Sequence, residues 1–393
     1  MVWRVFSAFC RKLCSVMSYN HGVKINEVDT GAQAVRTVNS SIIGIIGTAA
    51  DADADTFPLN MPVMVAGSRS KAAKLGEAGT LPQALNHIFN QCGAQVVVIR
   101  VEDAGTDAAD QTQANVIKGA EELLKAEAAT GYTPRILIAP GFTHEKPVAD
   151  KLVEIAEKLK AVVFADCPDT TQEDAFKYKE DFGSDRLTLI FPNAMYFDVN
   201  QAGTASTPAS PLAAGLQVKV DSEKGFWWTL SNQTLSGITG TTTLIDFRNG
   251  DSTCAANMLN ENQISTIIRR DGFRFWGSRT CASGSTFAFL PVRRTSDMIN
   301  LSIQDACLEF VDRPICKATL DAVVDTVNAY LRTLVSQGAI LGGECWVDEN
   351  DNPASELQQG KVRFAYKFTP PAPMEDVQFD SATVTDYYDA VFN

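Results

Sequence analysis

His144 and Glu145 follow the run Ile138-Ala139-Pro140-Gly141, and Asp166 and Cys167 follow Val163-Phe164-Ala165. Both runs read as buried strands, and open α/β sheets bind ligands outside the carboxyl ends of such strands. A Cys–His pair placed there could serve as nucleophile and base, which is hydrolase-like chemistry. The competing reading is that Asp166 caps a turn and Cys167 packs, since acids at strand ends are common to α/β folds whatever they do. Little else in the chain helps the catalytic version. There are three histidines, His21, His87 and His144. No dinucleotide fingerprint, Walker phosphate loop, zinc-protease helix or serine elbow occurs.

A second constellation is Ile267-Ile268-Arg269-Arg270-Asp271-Gly272-Phe273-Arg274-Phe275-Trp276-Gly277-Ser278-Arg279-Thr280, where arginines alternate with large aromatics. Interleaved basic and aromatic side chains can stack on single-stranded nucleic acid. Charge argues otherwise. The formal net charge is -13, whereas counterion release needs a concentrated basic surface. Within residues 254–373, 12 Lys/Arg are matched by 13 Asp/Glu. Ile267, Phe273 and Phe275 also alternate as one buried strand face does. A structural strand with paired arginines is expected. Arg293-Arg294 with Asp297 reads either as a structural ion-pair network or as a basic contact patch. No nucleic acid, cofactor or metal is expected as a ligand.

The elements that must position these residues are bounded by length and composition. At 393 residues the chain exceeds one ordinary core, so two or three domains are the prior. Hydrophobic content of 45% with 21% charged residues describes a folded chain rather than a disordered one. No window approaches the roughly 18 to 20 apolar residues of a spanning helix, so stable membrane insertion is not expected. Nine cysteines without a C-x-x-C pair read as reduced thiols. The final residues 374–393 carry five acids and no base. Residues 1–16 mix Trp3, Phe6 and Phe9 with Arg4, Arg11 and Lys12, and are read as an upstream extension before a start at Met17.

From Ser41 onward, apolar β-branched runs alternate with helical patterns. Strands are expected at 41–47, 62–66, 94–101, 135–139, 161–165 and 187–191. Helices are expected at 81–92, 110–129, 148–159 and 171–178. This alternation implies an α/β domain with a mostly parallel, doubly covered sheet. Residues 198–222, rich in Ala, Ser, Thr, Pro and Gly, read as a linker or surface crossover. The third section reads as α+β: a hairpin of 263–268 and 272–276 around Asp271-Gly272, helices at 294–310 and 317–337, and a strand at 362–368. Two orphan strand candidates remain, one near Val23, Ile25 and Val28, the other running through Val377, Phe379, Val384 and Tyr387.

Residues 264–280, with the signature positions Arg270, Gly272, Trp276, Gly277, Arg279 and Thr280, resemble contractile phage tail sheath proteins. The ordered matches Arg294-Thr295-Ser296-Asp297-Met298-Ile299, Gly338-Ala339-Ile340-Leu341-Gly342-Gly343, Gly360-Lys361-Val362 and Pro370-Pro371-Ala372-Pro373-Met374-Glu375 extend the resemblance. Ser18-Tyr19-Asn20-His21-Gly22-Val23 is similar to the opening of the family's P2-like branch. The resemblance implies a non-enzymatic subunit that stacks as hexameric rings around a tail tube, contracting to drive the tube through a bacterial envelope. Implied partners are further copies of the chain, the tail tube protein, and the baseplate and tail terminator proteins. The domains then become an N-terminal arm (17–37), an outer α/β domain (38–247), an inner C-terminal domain (248–373) and a C-terminal arm (374–393). Under that implication the orphan strands are inter-subunit arms that augment a neighbour's sheet, with Gly31-Ala32 and Pro370–Pro373 as joints. Arg293, Arg294, Lys317 and Arg332 are candidates to face the tube. A headless contractile bacteriocin or secretion-like device would share every one of these features.

Overall fold

The computed structural model describes residues 35–199 and 201–391. The expected arm residues Val23, Ile25 and Val28, and the expected extension 1–16, lie outside them. Six apolar runs become the strands β1 (Ile42–Thr48), β2 (Val63–Ala66), β3 (Gln95–Val101), β4 (Ile136–Ile138), β5 (Val162–Asp166) and β6 (Leu187–Ile190). β7 (Ala194–Asp198), β8 (Gly203–Thr207), β9 (Thr234–Leu235) and β10 (Gly240–Thr241) follow, then β11 (Ile264–Arg269) and β12 (Phe273–Trp276). Nine of these twelve form one sheet in the order β2-β3-β1-β4-β5-β6-β11-β12-β9. β3, β1, β4, β5, β6 and β11 run parallel, while β2, β12 and β9 close the edges antiparallel.

Helices cover both faces, as parallel strands buried on both sides require. They are α1 (Arg69–Ala72), α2 (Thr80–Gln91), α3 (Ala109–Glu122), α4 (Ala126–Thr130), α5 (Lys146–Leu159), α6 (Gln172–Glu180), α7 (Ser210–Glu223) and α8 (Ala255–Glu261). Strand alternation sorts the side chains. Ile43 and Ile45 of β1 join a core under α2 and α7. Ile46 joins the opposite core under α3 and α5.

The expected linker at 198–222 is instead the second half of the β7–β8 hairpin followed by α7, whose residues Ser210–Val218 are all buried. Small residues misled the composition argument, because they serve close packing here. α7 lies against α2, and a Cβ at Gly215 would sit 2.8 Å from the carbonyl oxygen of Ile88. A helix apolar or small all round is a buried helix. The expected 263–276 hairpin is present, turning through Asp271 (φ 50°) and Gly272 (φ 96°). It belongs to the large sheet, however, pairing Ile264 with Leu189 of β6.

The α+β part that remains comprises α9 (Leu290–Cys307), α10 (Lys317–Gln337), α11 (Ala354–Leu357) and a separate two-stranded sheet of β13 (Gly342–Trp346) and β14 (Ala365–Thr369). α9 begins four residues earlier than expected, with Pro291 in its first turn, where proline's missing N–H costs nothing. Met298, Ile299 and Ile303 of α9 pack with Val327, Tyr330, Leu331 and Leu334 of α10 and with Cys345 of β13.

Candidate assembly interface

The strand ends do form a hollow, of about 270 Å³, lined by Gly141, His144, Asp166, Cys167, Asp169, Asn193 and Pro208. Its acid is already committed. Asp166 is buried and accepts from the Ser210 backbone N (2.8 Å) and hydroxyl (2.5 Å), while its own N–H donates to Thr143 Oγ1 (2.8 Å). It therefore caps the N-terminus of α7, where a carboxylate meets the positive end of the helix dipole. Burial pushes its pKa up to about 6, against the Ser210 hydrogen bonds that lower it. Burial likewise pushes the Cys167 thiol well above its ordinary range, so it supplies no thiolate near neutrality. His144 sits on the surface with Nε2 3.5 Å from Glu145. The hollow holds a structural cap rather than a nucleophile and base.

His87, on α2, is buried with neither ring nitrogen hydrogen-bonded among the described residues. It meets the Tyr196 ring edge-on at 4.7 Å. Burial depresses its pKa to about 4.

The arginine-aromatic run is scaffold. Phe275 is buried in the sheet core, and Trp276 stacks edge-on against Phe247 at 4.9 Å. Arg269 and Arg270 point outward over the rings of Phe273 and Phe247. Arg274 donates to the carbonyls of Arg270 and Asn232. Gly277 (φ 136°) passes so close to β11 that a Cβ would lie 2.9 Å from Ser265 Cα. Thr280 is buried and donates to Phe287 O at 3.1 Å. Arg279 reaches a residue far along the chain: its Nε lies 2.9 Å from both carboxylate oxygens of Glu375, and Nη2 lies 2.5 Å from Oε2. That hydrogen bonding raises the Arg279 pKa.

Arg293 and Arg294 require a correction. Both are buried, Arg294 to 3% exposure, and neither offers charge to a tube. Arg294 makes a two-pronged pair with Asp221 (2.7 and 2.6 Å) and donates to Ser40 O (3.1 Å). Arg293 pairs with Asp297 (2.6 Å), which also receives both prongs of Arg186 (2.6 and 3.0 Å). The i, i+4 spacing of Arg293 and Asp297 was readable in the sequence. Arg186 and Asp221, far away in the chain, had no signal. Lys317 and Arg332 are exposed on α10.

Two further surfaces are incomplete within the chain. In the β13–β14 sheet, the outer edge of β13 is occupied at Cys345 by the Asn328 side chain, which both donates to its carbonyl and accepts from its N–H. The outer edge of β14 has no strand beside it among the described residues. Residues 374–391 form no strand, and they leave Met374, Val377, Phe379, Val384, Tyr387 and Val391 exposed, Met374 and Phe379 to 89%.

Residues 115–281 match the phage tail sheath protein central domain, residues 282–382 the phage tail sheath C-terminal domain, and residues 40–101 the N-terminal region of tail sheath protein Gp18 domain III. The chain is 36% identical to the tail sheath protein of Escherichia phage P2, over 94% of this chain and 96% of that one. It is 34% identical to the major tail sheath protein of Serratia phage KSP20, over 95% and 98%. Among solved structures it superposes on the contracted helical sheath of the anti-feeding prophage (TM-score 0.70, 20% identity, 94% of this chain and 99% of that one). A similar match is found with the contracted sheath complex of the extracellular contractile injection system PVC (0.70, 18%, 95% and 99%). The chain belongs to the contractile phage tail sheath family.

Proposed function

We propose that this chain polymerises as stacked hexameric rings around a tail tube, and that the resulting sheath contracts to drive the tube through the host envelope for genome ejection. Its partners are other copies of itself, the tail tube protein, and the baseplate and tail terminator proteins. It is built into the virion tail in the host cytoplasm and performs no catalysis. The observation that carries this reading is the C-terminal segment 374–391, whose large apolar side chains are uncovered by their own chain. Such side chains on an unpaired extended segment are what strand addition to a neighbour buries. Val377, Phe379, Val384 and Tyr387 form the donor arm, and the edge of β14 that no described strand covers is an acceptor. A two-stranded sheet is marginal alone and gains from further strands. The α/β body faces outward. The α9–α10 part faces the tube, with Lys317 and Arg332 as its remaining basic candidates.

Electron microscopy of the purified full-length protein at about 1 M salt, where charge repulsion is screened, tests the reading, with tubes or rings as the expected result. Deletion of residues 375–393 should leave a folded chain that forms neither. Tubes from the deleted chain would sink the role given to the arm. The 36% identity to a phage sheath over nearly the whole chain supports a phage tail over a headless device, and capsid genes beside this one are the expected genomic setting.

A further inference from the structure

We infer that Arg279 and Glu375 form a clasp that fixes where the C-terminal arm leaves the body, so that the arm has a clasped form and a released form. The inference rests on the sheath reading for its purpose but not for its geometry. Arg279 is held on an unyielding backbone. Its flanking residues Ser278 and Thr280 are buried, Leu290 N donates to Ser278 O (2.9 Å), Thr280 N to Ala288 O (2.8 Å), and Arg279 itself bridges to Phe289. The guanidinium lies over the Phe289 ring, 5.0 Å from its centre, and grips the Glu375 carboxylate through two nitrogens. A planar fork on a carboxylate fixes direction as well as distance.

Between β14 and this grip the chain is Pro370-Pro371-Ala372-Pro373-Met374. The three prolines rest half-buried on the body and favour a stiff extended conformation. That segment is therefore a strut rather than the joint its composition suggested. Beyond Glu375 the character changes. The hydrogen bonds of residues 376–391 stay within the segment, as in Gln378 to Asp376 and Tyr388 to Thr385. Among the described residues the clasp is thus the last hydrogen-bonded tie to the body. Its opening lets the strut 370–375 swing off the body about β14, which at about 3.1 Å per residue shifts the arm's point of departure by up to roughly 20 Å. Both side chains are about a third exposed (37% and 34%), so the pair is open to screening by salt.

Glu375 is the one glutamate after Lys367, which makes a glutamate-specific protease a direct reporter on the full-length chain. Cleavage after Glu375 follows the open population when opening is fast. Arg279→Ala should be clipped at this bond at least about fivefold faster than the unaltered chain, with Arg279→Lys between the two, since lysine cannot make the fork. Should Arg279→Ala disturb the body, Arg279→Met keeps the aliphatic length over Phe289 and removes only the charged fork, and the same faster clipping is expected. Equal clipping rates in the unaltered chain and in either Arg279→Ala or Arg279→Met would overturn the clasp. Tube formation is scored separately by electron microscopy. A chain that clips faster in Arg279→Ala yet never assembles supports the clasp and counts against the sheath reading.

Discussion

Asp297 receives two guanidinium groups at once, Arg186 from the approach to β6 and Arg293 from its own helix, and is only 2% exposed. Removing one member of a buried ionic set strands the others, at a cost of roughly 3–5 kcal/mol. Asp297→Ala should lose stability on that order in chemical denaturation, well above a surface substitution. Two buried titrating groups act on pH dependence with opposite sign. Burial lowers the folded pKa of His87 to about 4, below the ordinary histidine value of 6.5, so the unfolded chain binds the proton more readily between those values. Its contribution is present above about pH 6.5 and lost as pH falls toward 4. Burial raises the folded pKa of Asp166 to about 6, above the ordinary aspartate value of 3.8. Stability from this group is full below about pH 4 and is lost as pH rises through 6. Followed from pH 7.5 to 4.5, the unfolding free energy of the natural chain should fall by about 2–3 kcal/mol relative to His87→Phe. Relative to Asp166→Asn the natural chain should instead gain. Of these residues, Asp166 was visible as a capping acid at a strand end, and Arg293-Arg294 with Asp297 as either an ion-pair network or a basic contact patch, the helix being expected to start only at Arg294. The buried state of His87 and the partner role of Arg186 depend on tertiary packing that one sequence does not display.

Among the elements, α7 shows how composition can hide a core helix. Alanine, serine and glycine resemble a linker in sequence, yet here they let α7 approach α2 to backbone contact at Gly215. Gly215→Ala tests that contact because two effects compete. Alanine gains about 1 kcal/mol of helix propensity, while overpacking costs about 1–3 kcal/mol. The obstructing atom is the Ile88 carbonyl oxygen, which cannot rotate aside, so the variant should melt lower than the natural chain. Strands with strong β-branched runs, such as Gln95–Val101, and the long helix Lys317–Gln337 were legible because their periodicity and caps are local. The β11–β12 hairpin was legible too, through Asp271-Gly272. Its membership of the large sheet was not, because the pairing of Ile264 with Leu189 is non-local.

For the molecule as a whole, α9 is shared between cores. Leu290 belongs to the α/β core, and Met298, Ile299 and Ile303 to the C-terminal one. The Arg294–Asp221 and Arg186–Asp297 pairs add buried ties across the same junction. The two family regions meet at 281/282, but the physics does not divide there. A fragment of residues 35–281 would leave Arg186 and Asp221 without their partners and expose the surface beneath α9. It should fail to show a cooperative melt, whereas the full chain should show one transition coincident by circular dichroism and tryptophan fluorescence.

The C-terminal segment also sets how the free subunit behaves as a colloid. Asp376, Asp380 and Asp386 are interspersed with the exposed Val377, Phe379, Val384 and Tyr387 on a chain of net charge -13, so a segment that is adhesive by contact is repulsive at a distance. Charge repulsion reaches about 10 Å at 0.1 M salt and about 3 Å at 1 M. Freshly purified subunits should therefore stay dispersed in dilute buffer and associate when salt is raised, which light scattering across a salt series would register. Such a molecule keeps its own stock from gelling until something else brings the tails together.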